Sequence, residues 1–163
     1  MSTKPLNIGK RLSLMILTLS ITTMSHGLVG AEESPIFGDI TIKRQFSPDP
    51  LEVRGMSGGS VPARKINGGS ETPTGSCSGF VDEAPDHTLK LTSKFDYLKL
   101  QVESPADTTI IIKGPGGNWC NDDFDGKNPG IVGEWLKGTY QIWVGSYEKG
   151  KYLPYTLKIT EVK

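Results

Sequence analysis

At 163 residues the chain has room for one domain with some additional segments. Its 18 Lys and Arg balance its 18 Asp and Glu, and with neither a basic excess nor a clustered basic face, nucleic acid is excluded as a partner class. Twenty glycines and eleven prolines argue against a helical protein and suit a loop-rich, all-β design.

The first element in chain order is a targeting segment. Lys4, Lys10 and Arg11 precede an apolar run from Leu12 to Met24, and small residues follow up to Ala31. A positive start, a short apolar core and a small-residue exit are the parts of a secretory signal peptide. Val29-Gly30-Ala31 supplies the cleavage site before Glu32. The run is short of the roughly 20 residues of a membrane span; the alternative is a retained anchor helix. Residues 1–31 are thus expected to be a signal peptide, with no membrane span after cleavage and a secreted or periplasmic destination.

Residues 32–76 lack sustained periodicity. Ser47-Pro48-Asp49-Pro50, Gly55-Met56-Ser57-Gly58-Gly59-Ser60 and Gly68-Gly69-Ser70 punctuate them. Such a segment buries little apolar surface against its ordering entropy, so it reads as an irregular N-terminal arm or linker. Within it, Ile40-Thr41-Ile42 is a candidate docking strand. Gly55-Met56-Ser57-Gly58-Gly59 resembles the G-x-S-G-G around a serine-protease nucleophile, but a triad needs a base held on a rigid scaffold. Of the two histidines, His26 leaves with the signal peptide, which leaves only His87. A hydrolase built on Ser57 or His87 is therefore the least favoured class, and no catalytic residue is assigned.

From Cys77 to the C-terminus apolar and polar residues alternate. Thr88–Thr92, Tyr97–Val102, Thr139–Val144 and Tyr155–Thr160 show period two with β-branched and aromatic residues, the signature of strands. Thr108–Lys113 is a near-continuous β-branched run and fits a strand buried on both faces. Lys137-Gly138 reads as a turn, and Glu148-Lys149-Gly150-Lys151 as a hairpin tip. Short, evenly spaced strands predict an antiparallel β-sandwich or jelly-roll-like domain over residues 77–163.

Cys77 and Cys120 are the two cysteines. In an exported domain such a pair usually oxidises to one disulfide; two free buried thiols are the alternative. Gly114–Asn128 reads as a loop crowded with turn residues. Its Asp123-Phe124-Asp125-Gly126-Lys127-Asn128 has the D-x-D-G-x-N shape of many calcium loops, with further oxygens at Asn121 and Asp122. Calcium is accordingly a candidate cofactor, with Asp122, Asp123, Asp125 and Asn128 as ligands. The competing reading is a solvated turn capped by Asn and Asp. Asp82, Glu83, Asp86 and His87 read as an exposed turn around Ala84-Pro85. Among the aromatics, Trp143 and Tyr147 are candidate ligand-binding residues, set against ordinary core packing. Because Tyr140 and Trp143 fall on opposite faces of one strand, one of the two is expected at the surface.

Several motifs together resemble a known family. Cys77-Ser78-Gly79-Phe80-Val81, Pro85-Asp86-His87, Asp107-Thr108-Thr109, Gly114-Pro115, Trp119-Cys120-Asn121-Asp122-Asp123, Asn128-Pro129-Gly130-Ile131 and Gly138–Tyr147 look like exported bacterial proteins, cyanobacterial ones among them. Those proteins are similar to the bacterial pre-peptidase C-terminal domain. The resemblance covers roughly residues 77–161. It implies a compact β-sandwich of about eight strands that is not itself a peptidase. It also implies a binding or secretion accessory, and carries calcium ligation to Asp122, Asp123, Asp125 and Asn128. The resulting expectation is a secreted, non-catalytic module whose partner is an extracellular or periplasmic protein or polysaccharide. A structural envelope module without a specific ligand is the alternative.

Overall fold

A computed structural model describes Met1 and residues 37–163; apart from Met1, the expected signal peptide lies outside the described residues. Thirteen strands and one short helix form among them. They run β1 (Asp39–Ile42), β2 (Leu51–Ser57), β3 (Val61–Pro62), α1 (Ala63–Asn67), β4 (Glu71–Thr72), β5 (Gly75–Ser76) and β6 (Phe80–Val81). Then follow β7 (His87–Leu91), β8 (Phe95–Glu103), β9 (Thr108–Gly114), β10 (Gly117–Asn121), β11 (Gly130–Trp135), β12 (Gly138–Ser146) and β13 (Leu153–Thr160). Among the described residues no helix is long and apolar enough to cross a membrane.

The alternating runs become strands because period two puts every second side chain on one face. Leu98, Leu100 and Val102 of β8 and Leu157 and Ile159 of β13 are buried, while their neighbours are more exposed. Strands β11-β8-β13-β2 pair in that order into one antiparallel sheet. The other sheet centres on β12, with β9 and then β10 on one side. On its other side lie β7 and β6, which carry β1 and β3 at the edges. Ile40, Leu89, Ile110, Ile142 and Val144 from this sheet meet Val53, Leu100, Ile131, Leu157 and Ile159 from the first in a single apolar core. Two sheets enclosing one core make the predicted β-sandwich. It has thirteen strands rather than about eight, four of them only two residues long.

Part of the larger sheet's outer face, around β9 and the end of β12, is covered too. Ile110, Ile111 and Ile112 are each 0% exposed, as the β-branched run predicted. Ile111 reaches a second apolar cluster with Ala63 and Val81, where Ile66 of α1 packs from above. The Cys77–Cys120 disulfide lies in this cluster, with Cα atoms 5.1 Å apart. It ties the segment leaving β5 to β10. Closing a loop of this span is worth roughly 4 kcal/mol on the chain-entropy account.

Three expectations need correction. First, the segment read as an irregular arm is built into the sandwich. β1 pairs in parallel with β7, and β2 pairs along its whole length with β13. Gly55 and Gly59 serve close approach, not flexibility. A Cβ at Gly55 would strike the Tyr155 ring, and one at Gly59 would strike the backbone of Val81 and Asp82. Second, Gly114–Asn128 is not one loop. Pro115 and Gly116 form a tight turn, with Gly116 at φ +95°, and the chain then returns as β10 beside β9. The sequence Gly-Asn-Trp-Cys-Asn does not advertise this strand, because Gly and Asn are poor strand formers. Third, Glu148–Lys151 is a tight turn but not a hairpin tip: β12 and β13 lie in different sheets.

Candidate functional site at the loop end of the sandwich

Three connections converge at one end of the sandwich: 104–107 after β8, 122–129 after β10 and 147–152 after β12. Backbone hydrogen bonds lock them together. Thr108 N donates to Lys127 O at 3.2 Å, Tyr147 N to Asp107 O at 3.2 Å and Val102 N to Pro129 O at 3.0 Å. Gly150 N donates to Gly59 O at 2.9 Å, which adds the glycine-rich segment to the same end. A cleft of about 400 Å³ opens between these loops, lined by Asp107, Lys127, Ser146, Tyr147, Glu148 and Leu153 among others. Tyr147 stands at it 60% exposed. Across Pro105 lies a second groove of about 460 Å³, over Arg54, Met56, Glu103 and Pro154.

The acidic loop borders this end but does not gather into a cage. Asp125 and Asn128 form a tight turn, with Asp125 N donating to Asn128 O at 2.9 Å and Asn128 N to Asp125 O at 3.1 Å. Gly126 takes φ +62° there, a conformation glycine adopts at no steric cost. Asn128 Oδ1 accepts from Ser104 N at 3.0 Å, and Asp125 Oδ2 from Gln101 Nε2 at 3.4 Å. Asn121 turns away from the loop: its Oδ1 accepts from Gly130 N and its Nδ2 donates to Thr74 O. Among the described residues no three His, Cys, Asp or Glu side chains group so as to hold a metal ion.

Trp143 is not a surface residue. It is 5% exposed and packs in the cluster around the disulfide. Strand alternation does place it opposite Tyr140, but both faces of β12 are covered at these two positions, although Thr139 and Gln141 are exposed, and both rings are buried. Tyr140 lies in the main core against Trp135 and Trp119, with ring centroids 5.0 and 6.2 Å away.

The residues weighed for catalysis are likewise interior. Ser57 is fully buried, and its hydroxyl donates to Leu153 O at 3.1 Å. His87 accepts from Gly38 N at Nδ1 (3.4 Å), which leaves Nε2–H to donate to the Tyr155 hydroxyl at 2.7 Å. Burial lowers the His87 pKa, in keeping with a neutral ring. Ser57 and His87 are thus each committed to other groups and do not form a nucleophile–base pair. Asp86 is half-buried, whereas Glu83 and Ala84 of the same turn are exposed, as expected. Burial pushes the Asp86 carboxyl up to about 7, although Oδ2 accepts from Val144 N at 2.7 Å, which works in the opposite direction. Burial, then the nearby Asp86 charge, raises the Tyr155 hydroxyl well above its ordinary value. The Asp82 carboxylate, nearer the surface, accepts from the Tyr152 hydroxyl at 3.2 Å.

Of the residues singled out from sequence, the cleft therefore keeps Tyr147 and places the acidic loop beside it. It adds Asp107, Lys127, Ser146 and Glu148, none of which the sequence marks as a ligand contact. Only the convergence of three separate connections brings them together.

No protein-family model matches the chain. It is 29% identical over 114 residues to an uncharacterised protein of Synechococcus elongatus, covering 68% of this chain and 75% of that one. Among solved structures it is similar to the pre-peptidase C-terminal domain of a Bacillus anthracis collagenase. That likeness has 12% identity and TM-score 0.44, over 75% of this chain and 94% of that one. It is also similar to PliG of Aeromonas hydrophila, a periplasmic inhibitor of g-type lysozyme, at 16% identity and TM-score 0.38, over 76% and 96% of the two chains. A cyanobacterial protein, one of the kinds the sequence resembles, is thus among those the chain is similar to.

Proposed function

We propose that this protein is an exported, non-catalytic binding module that holds an extracellular or periplasmic protein or polysaccharide at the loop end of its sandwich. The observation that carries this reading is Tyr147, an exposed aromatic ring over a cleft whose loops are fixed by backbone hydrogen bonds. An aromatic held out of the core at a pre-formed cleft supplies contact area at little ordering cost. Export is supported by the disulfide, since such bonds persist in oxidising compartments, and by the signal-peptide pattern of residues 1–31. The absence of catalysis is supported by the commitment of Ser57 and His87 to structural hydrogen bonds. The reading does not depend on calcium at Asp122, Asp123, Asp125 and Asn128; among the described residues no three His, Cys, Asp or Glu side chains group so as to hold an ion.

The test is retention of the protein on arrays of glycans and of matrix and envelope proteins, repeated with Tyr147→Ala. Retention that disappears in the variant, with an unchanged melting curve, supports the module. If nothing is retained and the protein instead partitions with the cell envelope, it is a structural component.

A further inference from the structure

We infer that the cleft at Tyr147 takes a neutral saccharide, an inference that rests on reading this cleft as the binding site. Three features of the cleft point to that ligand class.

The first is its floor. Ser146 lines the cleft although it is only 2% exposed. Directly across from it in the β9–β12 register stands Thr108, 1% exposed. Directly opposed residues of antiparallel strands project from the same face, so both side chains lie on the inward face at this end of the sandwich, with Ser146 lining the cleft and Thr108 behind it. Among the described residues, Thr108 Oγ1 has no hydrogen-bond partner. A buried hydroxyl without a partner carries a desolvation penalty; the hydroxyl that meets a ligand in the cleft is that of Ser146, whose Oγ accepts from Glu148 N at 3.3 Å and keeps its own proton to donate. Hydroxyls both donate and accept, which matches them to the hydroxyls of a sugar.

The second is charge. Asp107 and Glu148 oppose Lys127 and Lys151 around the cleft, so the formal charges cancel. Lys151 is further neutralised by its 2.9 Å ion pair with Glu148. A lining of this kind offers both donors and acceptors while favouring neither an anion nor a cation. Phosphate or an acidic peptide would want an excess of lysine and arginine.

The third is shape. About 400 Å³ lies within the range of small-ligand clefts and accommodates a few sugar units rather than a globular surface. Tyr147 supplies a flat apolar ring with a polar tip at the rim, suited to the alternating apolar and hydroxyl faces of a pyranose.

The experiment is a neutral-glycan array followed by calorimetric titration of the full-length protein with the best-retained oligosaccharide, and with inorganic phosphate in parallel. The expected result is a saturable isotherm with the oligosaccharide and none with phosphate. Tyr147→Ala and Lys127→Ala, both at exposed positions, are each expected to weaken it at least tenfold without moving the melting temperature. Ser146→Ala is expected to weaken it as well; should that buried substitution unfold the protein, the two exposed variants still decide. Retention of a protein but of no neutral glycan, lost in Tyr147→Ala, overturns the saccharide inference and leaves the binding module standing. Retention of neither overturns both. Glycan binding undiminished in Tyr147→Ala and Lys127→Ala removes the cleft as its site, and a phosphate isotherm makes the cleft an anion site instead.

Discussion

Gly55–Gly59 and Asp122–Asn128 are alike in composition, short runs of small or turn-forming residues, yet the fold uses them in opposite ways. The first lies within the sandwich. Ser57 is buried, Gly58 N donates to Val144 O at 3.1 Å, and the missing side chains of Gly55 and Gly59 make room for Tyr155 and for the Val81 backbone. The second lies at the surface, and Gly126 has nothing within 4 Å of where a Cβ would be. Glycine in the first stretch is a requirement of packing; in the second it is a requirement of backbone conformation alone. Local composition does not separate these two uses, because the atoms that crowd Gly55 and Gly59 belong to strands far along the chain.

Substitution separates them. Gly59→Ala meets both a backbone collision and a φ of +146°, and it is expected to cost about 4 kcal/mol or more, at the upper end of single substitutions. A urea melt with a midpoint close to wild type would show the segment to be loosely docked. Removing the disulfide with Cys77→Ser and Cys120→Ser is expected to cost roughly 4 kcal/mol as well. That change acts on the β10 side that leads into the acidic loop. Amide exchange should therefore quicken first around β4, β5 and β10, with Gly55–Gly59 following only on global unfolding. Uniform quickening would mean that the two regions open as one unit.

Two groups beside the first stretch titrate away from their ordinary values. Asp86 Oδ2 accepts from Val144 N, and Gly58 N donates to the carbonyl of the same residue. The Asp86 carboxyl keeps its proton up to about 7 in the folded state, against an ordinary value of 3.8. The folded state therefore binds more protons than the unfolded state between those limits. Its contribution to stability is fully present below about pH 4 and is lost as pH rises through about 7. His87 acts with the opposite sign: burial lowers its pKa, so its contribution is present above 6.5 and is lost as pH falls below that value. Asp86→Asn is expected to remove a decline of up to a few kcal/mol between pH 4 and 7. Identical pH–stability profiles for the two proteins would place Asp86 in solvent.

The smallest effects belong to the loop. Gly126→Ala, strained only by its φ of +62°, is expected to cost about 1 kcal/mol, well below Gly59→Ala; equal costs would erase the contrast between the regions. Millimolar calcium is expected to move the melt by under about 0.5 kcal/mol, with Asp123→Ala equally quiet. A larger stabilisation, reversed by chelator and absent from Asp123→Ala, would show that the loop rearranges into an ion cage.

Much of the fold could be read without coordinates. Alternation at Tyr97–Val102, Thr139–Val144 and Tyr155–Thr160 marks strands because period two is a property of the extended backbone itself. The isoleucine run at Ile110–Ile112 marks a strand covered on both faces, since no exposed face would tolerate it. Other features were invisible for equally physical reasons. β10 contains Gly and Asn, β11 contains two Gly, and neither shows clean alternation; they are strands because β9 and β8 supply the partners. Trp143 has the composition of a ligand platform, and it took α1 and the disulfide, from another part of the chain, to bury it.

The candidate site divides along the same line. The sequence by itself determined the sandwich, its inward-facing residues and the two cysteines, because these follow from periodicity and composition within short windows. Tertiary structure alone decided that the glycine-rich segment is a strand, that His87 and Ser57 are interior, and that Tyr147, Ser146, Asp107 and Lys127 share one cleft. Those outcomes depend on which loops meet at one end of two packed sheets, and nothing within a single loop carries that information.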